Sequence, residues 1–283
     1  MKQYLDLVET VLTQGRRRST SVQGSGNTVY AGYQMKFRPA EEFPLLTTRS
    51  LAGKPWRAII AELLWFLSGS DNVTDMHKIG VHLWDQWATP EICDQYHLPH
   101  GSVGRLYGPQ WRSWLCRDGS TIDQISRLIN EIKSTPDSKR MKVTAWNPED
   151  VQDSREVERV FIAPCHGDFK CVVSEGILDL CMTQRSADLP VGVPFNIASY
   201  SLLLLILAQA TGLKPGEFTH HLQDVHIYDN QLEETKKLLT LKPRMLPTVR
   251  LNSTVTDLFA FKMDDFTLDG YDPHPFFKIP VLL

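Results

Sequence analysis

Cys165 lies in the run Ala163-Pro164-Cys165-His166, where Pro164 restricts the backbone just ahead of the sulfur. A thiolate held there would be a nucleophile; free cysteine is also commonly a small buried hydrophobe, and position alone leaves both readings open. The most polar stretch attached to apolar segments is Gln184-Arg185-Ser186-Ala187-Asp188-Leu189-Pro190-Val191-Gly192-Val193-Pro194-Phe195-Asn196. An arginine ending a strand, a carboxylate in the following turn and an amide opening a helix would converge at one sheet edge. Arg185 there would stabilise a nearby thiolate or grip a phosphate bidentately, although an Arg/Asp pair tying down a loop fits the spacing equally well. Asp224, His226 and Tyr228 alternate, so a strand would turn all three to one face, suited to a sugar hydroxyl or simply to solvent. Trp84 and Trp87 in Trp84-Asp85-Gln86-Trp87 would stack on a flat ring or fill a core.

These groups need a frame, and the apolar periodicity supplies one. Tyr4, Val8, Val11 and Leu12 follow a helical period, as do Trp56, Ile59, Ile60, Leu63, Leu64 and Leu67, with the carboxylate of Glu62 beside that second apolar face. Ile122, Ile125, Leu128, Ile129 and Ile132 predict a third helix, closed by Thr135-Pro136-Asp137. Met141 to Trp146, Phe169 to Ser174 and Ile177 to Thr183 alternate as strands, and Glu175-Gly176 joins the last two as a two-residue hairpin turn. A helix from about Pro194 to Thr211, ended by Gly212, is apolar nearly all round and belongs at the centre of the fold. A short strand at Asp224 to Tyr228, an amphipathic helix at Gln231 to Leu239 and a proline-rich aromatic tail complete the chain. Hairpin connections in place of strict βαβ alternation predict a single α+β domain over residues 1–283, a mixed, mostly antiparallel sheet packed against helices around one long buried helix.

Composition narrows the classes. With 283 residues, 42% of them hydrophobic, and 30 Lys+Arg against 33 Asp+Glu, the chain is too apolar and too nearly neutral for disorder or for a basic nucleic-acid scaffold, despite the Arg16 to Arg18 cluster. Five cysteines at Cys93, Cys116, Cys165, Cys171 and Cys181 form no CxxC and no paired Cys/His spacing, so neither a disulfide framework nor a zinc site is expected. Asp6 and Glu9 interrupt what would be a signal peptide, and the apolar run Leu202 to Ala208 falls far short of the roughly 20 residues of a membrane span. No Walker A loop, GxGxxG or HExxH occurs.

Taken together the residues are similar to the folate-dependent thymidylate synthase family over almost the whole length. The matches are Phe43-Pro44-Leu45-Leu46-Thr47-Thr48, Glu62-Leu63-Leu64-Trp65-Phe66-Leu67, Leu83-Trp84-Asp85-Gln86-Trp87, Tyr107-Gly108 with Gln110-Trp111-Arg112, Ala163-Pro164-Cys165-His166, Gln184-Arg185-Ser186-Ala187-Asp188, Gly192 to Tyr200, His226-Ile227-Tyr228 and Gly270-Tyr271-Asp272-Pro273-His274-Pro275. The resemblance implies one-carbon transfer from 5,10-methylenetetrahydrofolate to C5 of dUMP, activated by addition of the Cys165 thiolate to C6. It further implies that Arg185 binds the nucleotide phosphate and helps to ionise Cys165, that Ser186 and Asp188 contact the nucleotide, that Lys139 and Arg140 reach the partner's phosphate site in a homodimer, and that Asn196 reads the uracil edge. His226 and Tyr228 would hold the sugar, Glu62 and Tyr107 would manage protons, and Leu83, Trp84, Trp87, Asp188, Val191, Gly192 and Phe195 would form the folate site. No metal, membrane or nucleic-acid partner is implied, and the location would be the cytoplasm of a bacterial or phage-infected cell.

The departures cluster near phosphate, folate and tail. The family's Asp-Arg-Thr-Gly is here Ser21-Val22-Gln23-Gly24, so Val22 replaces a phosphate-binding arginine; either one of Arg16 to Arg18 substitutes from a shifted loop or the phosphate site is rebuilt. Lys139 stands for an arginine, Pro190 for an apolar residue and Gln223 for a glycine; the chain ends in Leu282-Leu283, and extra residues stand at 52–54, 92–100 and 154–161. Three outcomes follow: reductive methylation to dTMP, hydroxymethylation of dUMP by water addition to the same exocyclic-methylene intermediate, or a silent nucleotide- or RNA-binding relative. Retained Trp84 and Tyr107 favour methylation. Asn196 favours uracil, since cytosine-directed relatives carry aspartate there.

Overall fold

The computed structural model describes residues 1–19, 24–151 and 160–282. Val22 and most of the insertion at 154–161 lie outside the described residues, as does Leu283. In chain order the elements are α1 (Lys2–Gln14), β1 (Arg16–Arg18), β2 (Asn27–Phe37), α2 (Lys54–Ser68), α3 (Thr74–His77), α4 (Pro90–Gln95), α5 (Tyr107–Arg112), β3 (Trp114–Leu115), β4 (Thr121–Ile122), α6 (Gln124–Ser134), β5 (Lys142–Val143), β6 (Asp168–Ser174), β7 (Ile177–Asp188), α7 (Gly192–Thr211), β8 (Lys214–Tyr228), α8 (Leu232–Thr240), β9 (Thr248–Leu251) and β10 (Phe266–Asp269).

Six strands form one sheet in the order β1-β2-β8-β7-β6-β5. All neighbours are antiparallel except β7 and β8, which run parallel because α7 carries the chain back between them. α7 is the predicted all-apolar helix: Ile197 to Leu204 are buried throughout, so polar Ser199 and Ser201 are enclosed with the leucines. It is long and apolar enough to cross a membrane, but most of it lies inside the protein core. Gly212, at φ 72°, ends it in the left-handed region, and Glu175 and Gly176, at φ 50° and 75°, form the tight β6–β7 turn.

Several boundaries differ from the sequence reading. α6 begins at Gln124, because the Asp123 side chain accepts from Ser126 N and caps it; Ile122 falls in β4, where it is 39% exposed. The alternating run Met141 to Trp146 pairs only at Lys142 and Val143, since Ala145 N donates to Asp168 Oδ1 (2.9 Å) and leaves the ladder. β7 continues past Arg185 to Asp188, because Ser186, Ala187 and Asp188 pair with Asp224, Val225 and His226. β8 extends back to Lys214, with polar Thr219 and His220 buried in its middle, and β2, which the sequence reading had not identified, lies along it over ten residue pairs.

Candidate active site

A cleft over the inner strands β6, β7 and β8 is lined by Trp146, Pro164, Cys165, His166, Asp168, Thr183, Arg185 and Gln223. Cys165 is held from both sides by its backbone. Its N–H donates to the Tyr107 hydroxyl (3.0 Å), and its carbonyl accepts from Arg185 N (2.9 Å). Arg185 turns back under the same loop: Nε donates to Pro164 O (2.7 Å), and Nη2 donates to Ala163 O (2.6 Å) and lies 4.0 Å from Cys165 Sγ. Its guanidinium also lies over the Trp146 ring, 5.3 Å from the centroid. Nη1 forms no hydrogen bond among the described residues, which leaves that end of the fork for an anion.

Opposing effects act on the Cys165 thiol. Burial pushes the thiol above its ordinary value; Arg185 and a hydrogen bond to Ser186 pull it down, and Asp188 pushes it up. Desolvation is the largest of these, so the arginine lowers the thiol without bringing it below its ordinary value.

Behind the sulfur, Tyr107 stacks between Phe66 (4.5 Å) and His166 (4.4 Å). Burial drives His166 down to about 3, so it is neutral, with Nδ1 3.0 Å from the Tyr200 hydroxyl. Gly167, at φ 109°, fits because an added Cβ would lie 2.5 Å from Ala145 Cβ and 3.1 Å from Tyr107. Gly167→Ala is therefore expected to cost roughly 2 kcal/mol or more, measured by urea denaturation, and to displace the ring that holds the Cys165 amide.

Glu62 projects from α2 into the interior at 7% exposure and accepts from Trp84 Nε1 (2.8 Å). Burial raises its carboxyl to about 7, against the lowering effect of that hydrogen bond. Trp84 packs 5.2 Å from Trp87 and 6.0 Å from Tyr107, so carboxyl, indoles and phenol form one wall.

A relay of amides orients Asn196. The Gln184 oxygen accepts from His220 Nε2 (2.8 Å), and Gln184 Nε2 donates to Asn196 Oδ1 (3.0 Å) and Ser186 O (3.0 Å). Asn196 Nδ2 forms no hydrogen bond among the described residues and is free to donate to a carbonyl. His220, driven to about 3 by burial, keeps the relay neutral.

His226 Nδ1 lies 3.0 Å from Asp224 Oδ1, and Arg18 donates to Asp224 Oδ2 (2.9 Å). Of the clustered arginines, Arg18 is thereby placed beside the predicted sugar residues, while Arg17 pairs with Asp229. The His226 hydrogen bond leads the effects that hold Asp224 near 2. His226 and Tyr228 are both buried and contact edge-to-face at 4.9 Å.

Asp188 accepts from Gln231 Nε2 (3.1 Å) through Oδ2, and its Oδ1 is buried without a hydrogen-bond partner among the described residues. Burial raises this carboxyl to about 6, against Gln231, His226, the nearby Val191 N–H, whose approach is too long or too bent for a formed hydrogen bond, and Arg49. At Gly192, in the first turn of α7, a Cβ would stand 3.7 Å from Asn196 Oδ1 and 3.9 Å from Asp188 Cβ, so glycine keeps the gap between these groups open. An orphaned carboxylate oxygen beside an open gap fits an N–H-bearing heterocycle such as a pterin. Leu83, Val191 and Phe195 are half-buried and packed against the core. Lys139 and Arg140 are exposed and do not line the Cys165 cleft.

Three residues escaped the sequence reading. Gln184 and Gln231 are ordinary amides until their partners are seen; Gln231 also donates to Pro280 O (2.9 Å), strapping the tail to Asp188. Arg49 is buried, donates to Pro190 O (3.1 Å) and approaches the Phe276 ring (5.5 Å). A cation directly after Thr47-Thr48 was the available signal.

Fold and cleft have the parts of a thiol-dependent group transferase for a planar anion. The family model described as Thymidylate synthase matches residues 2–283, and the chain belongs to that family. It is accordingly a folate-dependent one-carbon transferase acting on dUMP, with methylenetetrahydrofolate as co-substrate.

Proposed function

We propose that the protein methylates dUMP reductively to dTMP through a covalent bond between Cys165 Sγ and C6 of uracil. The observation that carries this reading is the anchoring of Cys165 by Tyr107 and Arg185, with the arginine 4.0 Å from the sulfur. Methylenetetrahydrofolate, when bound, supplies the one-carbon unit and the hydride. The chain's residues do the rest. Cys165 loses its proton and adds to C6, and the C5–C6 π pair moves toward C5 and O4 as an enolate able to attack carbon. Asn196 Nδ2 donates to O4 and Oδ1 accepts from N3–H, which selects uracil. Glu62, poised near neutrality, exchanges protons around O4 through water. The Tyr107 oxygen accepts the proton leaving C5. Arg185 Nη1 with Ser186 takes the phosphate, and His226 with Tyr228 the sugar hydroxyl.

Trp84, fixed by its bond to Glu62 and packed on Trp87 and Tyr107, excludes water from the exocyclic carbon and supports methylation over hydroxymethylation. The test is mass spectrometry of both products. dTMP with dihydrofolate is expected; hydroxymethyl-dUMP with tetrahydrofolate would replace the reading, and absence of tritium release from C5-labelled dUMP would remove it.

Asp188 is assigned to the pterin through its orphaned Oδ1. Asp188→Ala should raise the folate KM by about 10- to 100-fold, the scale of one lost charged hydrogen bond, with a smaller change for dUMP in steady-state kinetics.

Lys139 and Arg140, exposed in the single chain, are assigned to the partner's phosphate in a homodimer. Mixing inactive Cys165→Ser chains with inactive Arg140→Ala chains should restore activity, because one of the two sites in the mixed dimer is intact. No restoration would place Arg140 in its own chain's site or outside any site.

A further inference from the structure

The turn that carries Trp84 and Trp87 has a second set of chemical groups on it. His77 closes α3, His82 follows in the loop, and Asp85 opens a short 3₁₀ turn, Asp85–Trp87. His77 Nε2 lies 2.6 Å from Asp85 Oδ1, and His82 Nδ1 lies 2.8 Å from Asp85 Oδ2. The two imidazoles are stacked, with centroids 4.5 Å apart and planes 28° from parallel. One donor atom from each residue falls within 4.8 Å of the others. None of the three lines the Cys165 cleft.

We propose that His77, His82 and Asp85 bind a divalent transition ion, Zn²⁺ fitting best, and that the bound ion stiffens the turn presenting Trp84 and Trp87. Two imidazole nitrogens and a carboxylate oxygen are a donor set for zinc, which binds nitrogen and oxygen at about 2.0–2.2 Å. Ligands on one tetrahedral ion stand about 3.3 Å apart, so the two carboxylate contacts, at 2.6 and 2.8 Å, would open by about half an ångström or slightly more, while donor atoms that now lie up to 4.8 Å apart would close toward that spacing. Each ring would then carry its proton on the nitrogen facing away from Asp85, and the hydrogen bonds to the carboxylate would be exchanged for bonds to the metal. The side chains are 34%, 62% and 43% exposed, which gives the ion a path and leaves a coordination position for water. The neighbouring cation of Lys78 is held away, its amine 2.5 Å from Asp75 Oδ1. The sequence reading expected no metal, having found no CxxC and no paired Cys/His spacing; this donor set is of another kind, two histidines five apart and a carboxylate three further on, which only the turn brings together.

The test is calorimetric titration of the chelator-stripped full-length chain with ZnCl₂, with Co²⁺ as a spectroscopic probe. Expected are saturable binding of one ion per chain, a visible Co²⁺ absorption band of low-coordinate type, and a Tm raised by Zn²⁺. His82→Ala and Asp85→Asn should each weaken binding by about 100-fold or more and abolish the band. His82 is largely exposed, so its variant should keep the metal-free Tm of the unaltered protein. His100→Ala, removing a histidine paired with Asp94 elsewhere, should change nothing. Absence of saturable binding, or binding that survives both His82→Ala and Asp85→Asn, would overturn the proposal.

Discussion

Cys165→Ser is expected to lower turnover by about 10⁴-fold or more, on the scale seen when a covalent nucleophile is removed, while dUMP still binds. The serine hydroxyl would sit in the same loop, because the anchors are backbone groups: the Tyr107 hydroxyl receives the residue's N–H, and its carbonyl receives Arg185 N. Arg185 would still reach Pro164 O and Ala163 O, so the anion end of the cleft stays formed. What disappears is a group that can ionise near neutral pH. Even the thiol is pushed upward by burial, and a hydroxyl, with a far higher starting value, gains too little from Arg185 to act. Equilibrium dUMP binding and single-turnover product formation check both halves. Substantial turnover in the variant would exclude the covalent route, and lost binding would show that the sulfur shapes the cleft instead of reacting in it.

Glu62→Gln should lower kcat by about 10² to 10⁴-fold, the usual contribution of a positioned acid or base, and remove an inflection near pH 7 from the kcat profile. The same substitution should change stability in the opposite sense. The folded carboxyl is raised from 4.5 to about 7, so between those values the folded chain keeps a proton that the unfolded chain has released. Unfolding then releases a proton, and stability falls as pH rises through this window and levels off above it. The full shift corresponds to on the order of 3 kcal/mol. Glutamine carries no charge and can still accept from Trp84 Nε1, so the variant should be more stable than the unaltered protein at pH 8 and similar to it near pH 4.5. Urea denaturation of both at the two pH values measures the difference. A variant equally destabilised at both would mean that Glu62 is a packing element, not a titrating one.

Glu62 illustrates how far the sequence carries. Its place beside the apolar stripe of α2 was legible, and so was its likeness to a family proton-transfer group. Its raised proton affinity was not, since that comes from burial by the folded chain, which outweighs the lowering effect of the hydrogen bond from Trp84, 22 residues away. α7 was legible because an all-apolar helix has few places to go but the core. β2 was not identified, although Tyr33, Met35 and Phe37 alternate with Gly32, Gln34 and Lys36 as a half-buried strand would; the burial pattern is clear only at its C-terminal end, and the rest of the strand is specified by ladder bonds to β8. Arg185 was expected to end a strand; β7 runs on because parallel pairing to β8, a long-range effect, outlasts the local pattern. The arginine cluster and Val22 likewise read as a shortage of phosphate ligands, and the fold places Arg18 on Asp224, next to His226.

The sequence by itself determined the inventory: one thiol behind a proline, a cation and a carboxylate on a shared segment, paired indoles, and a leucine-rich helix around which a sheet could close. These follow from residue type and period, which are local. The tertiary structure decided which of them meet and in what protonation state. Gln184 aims Asn196, Gln231 joins Asp188 to the tail, and burial outweighs Arg185 at the resting Cys165 thiol. The reason is physical. Hydrogen-bond direction and desolvation are properties of neighbours in space, and neighbours such as Gln184 and His220, 36 residues apart, are set by the ladder between β7 and β8.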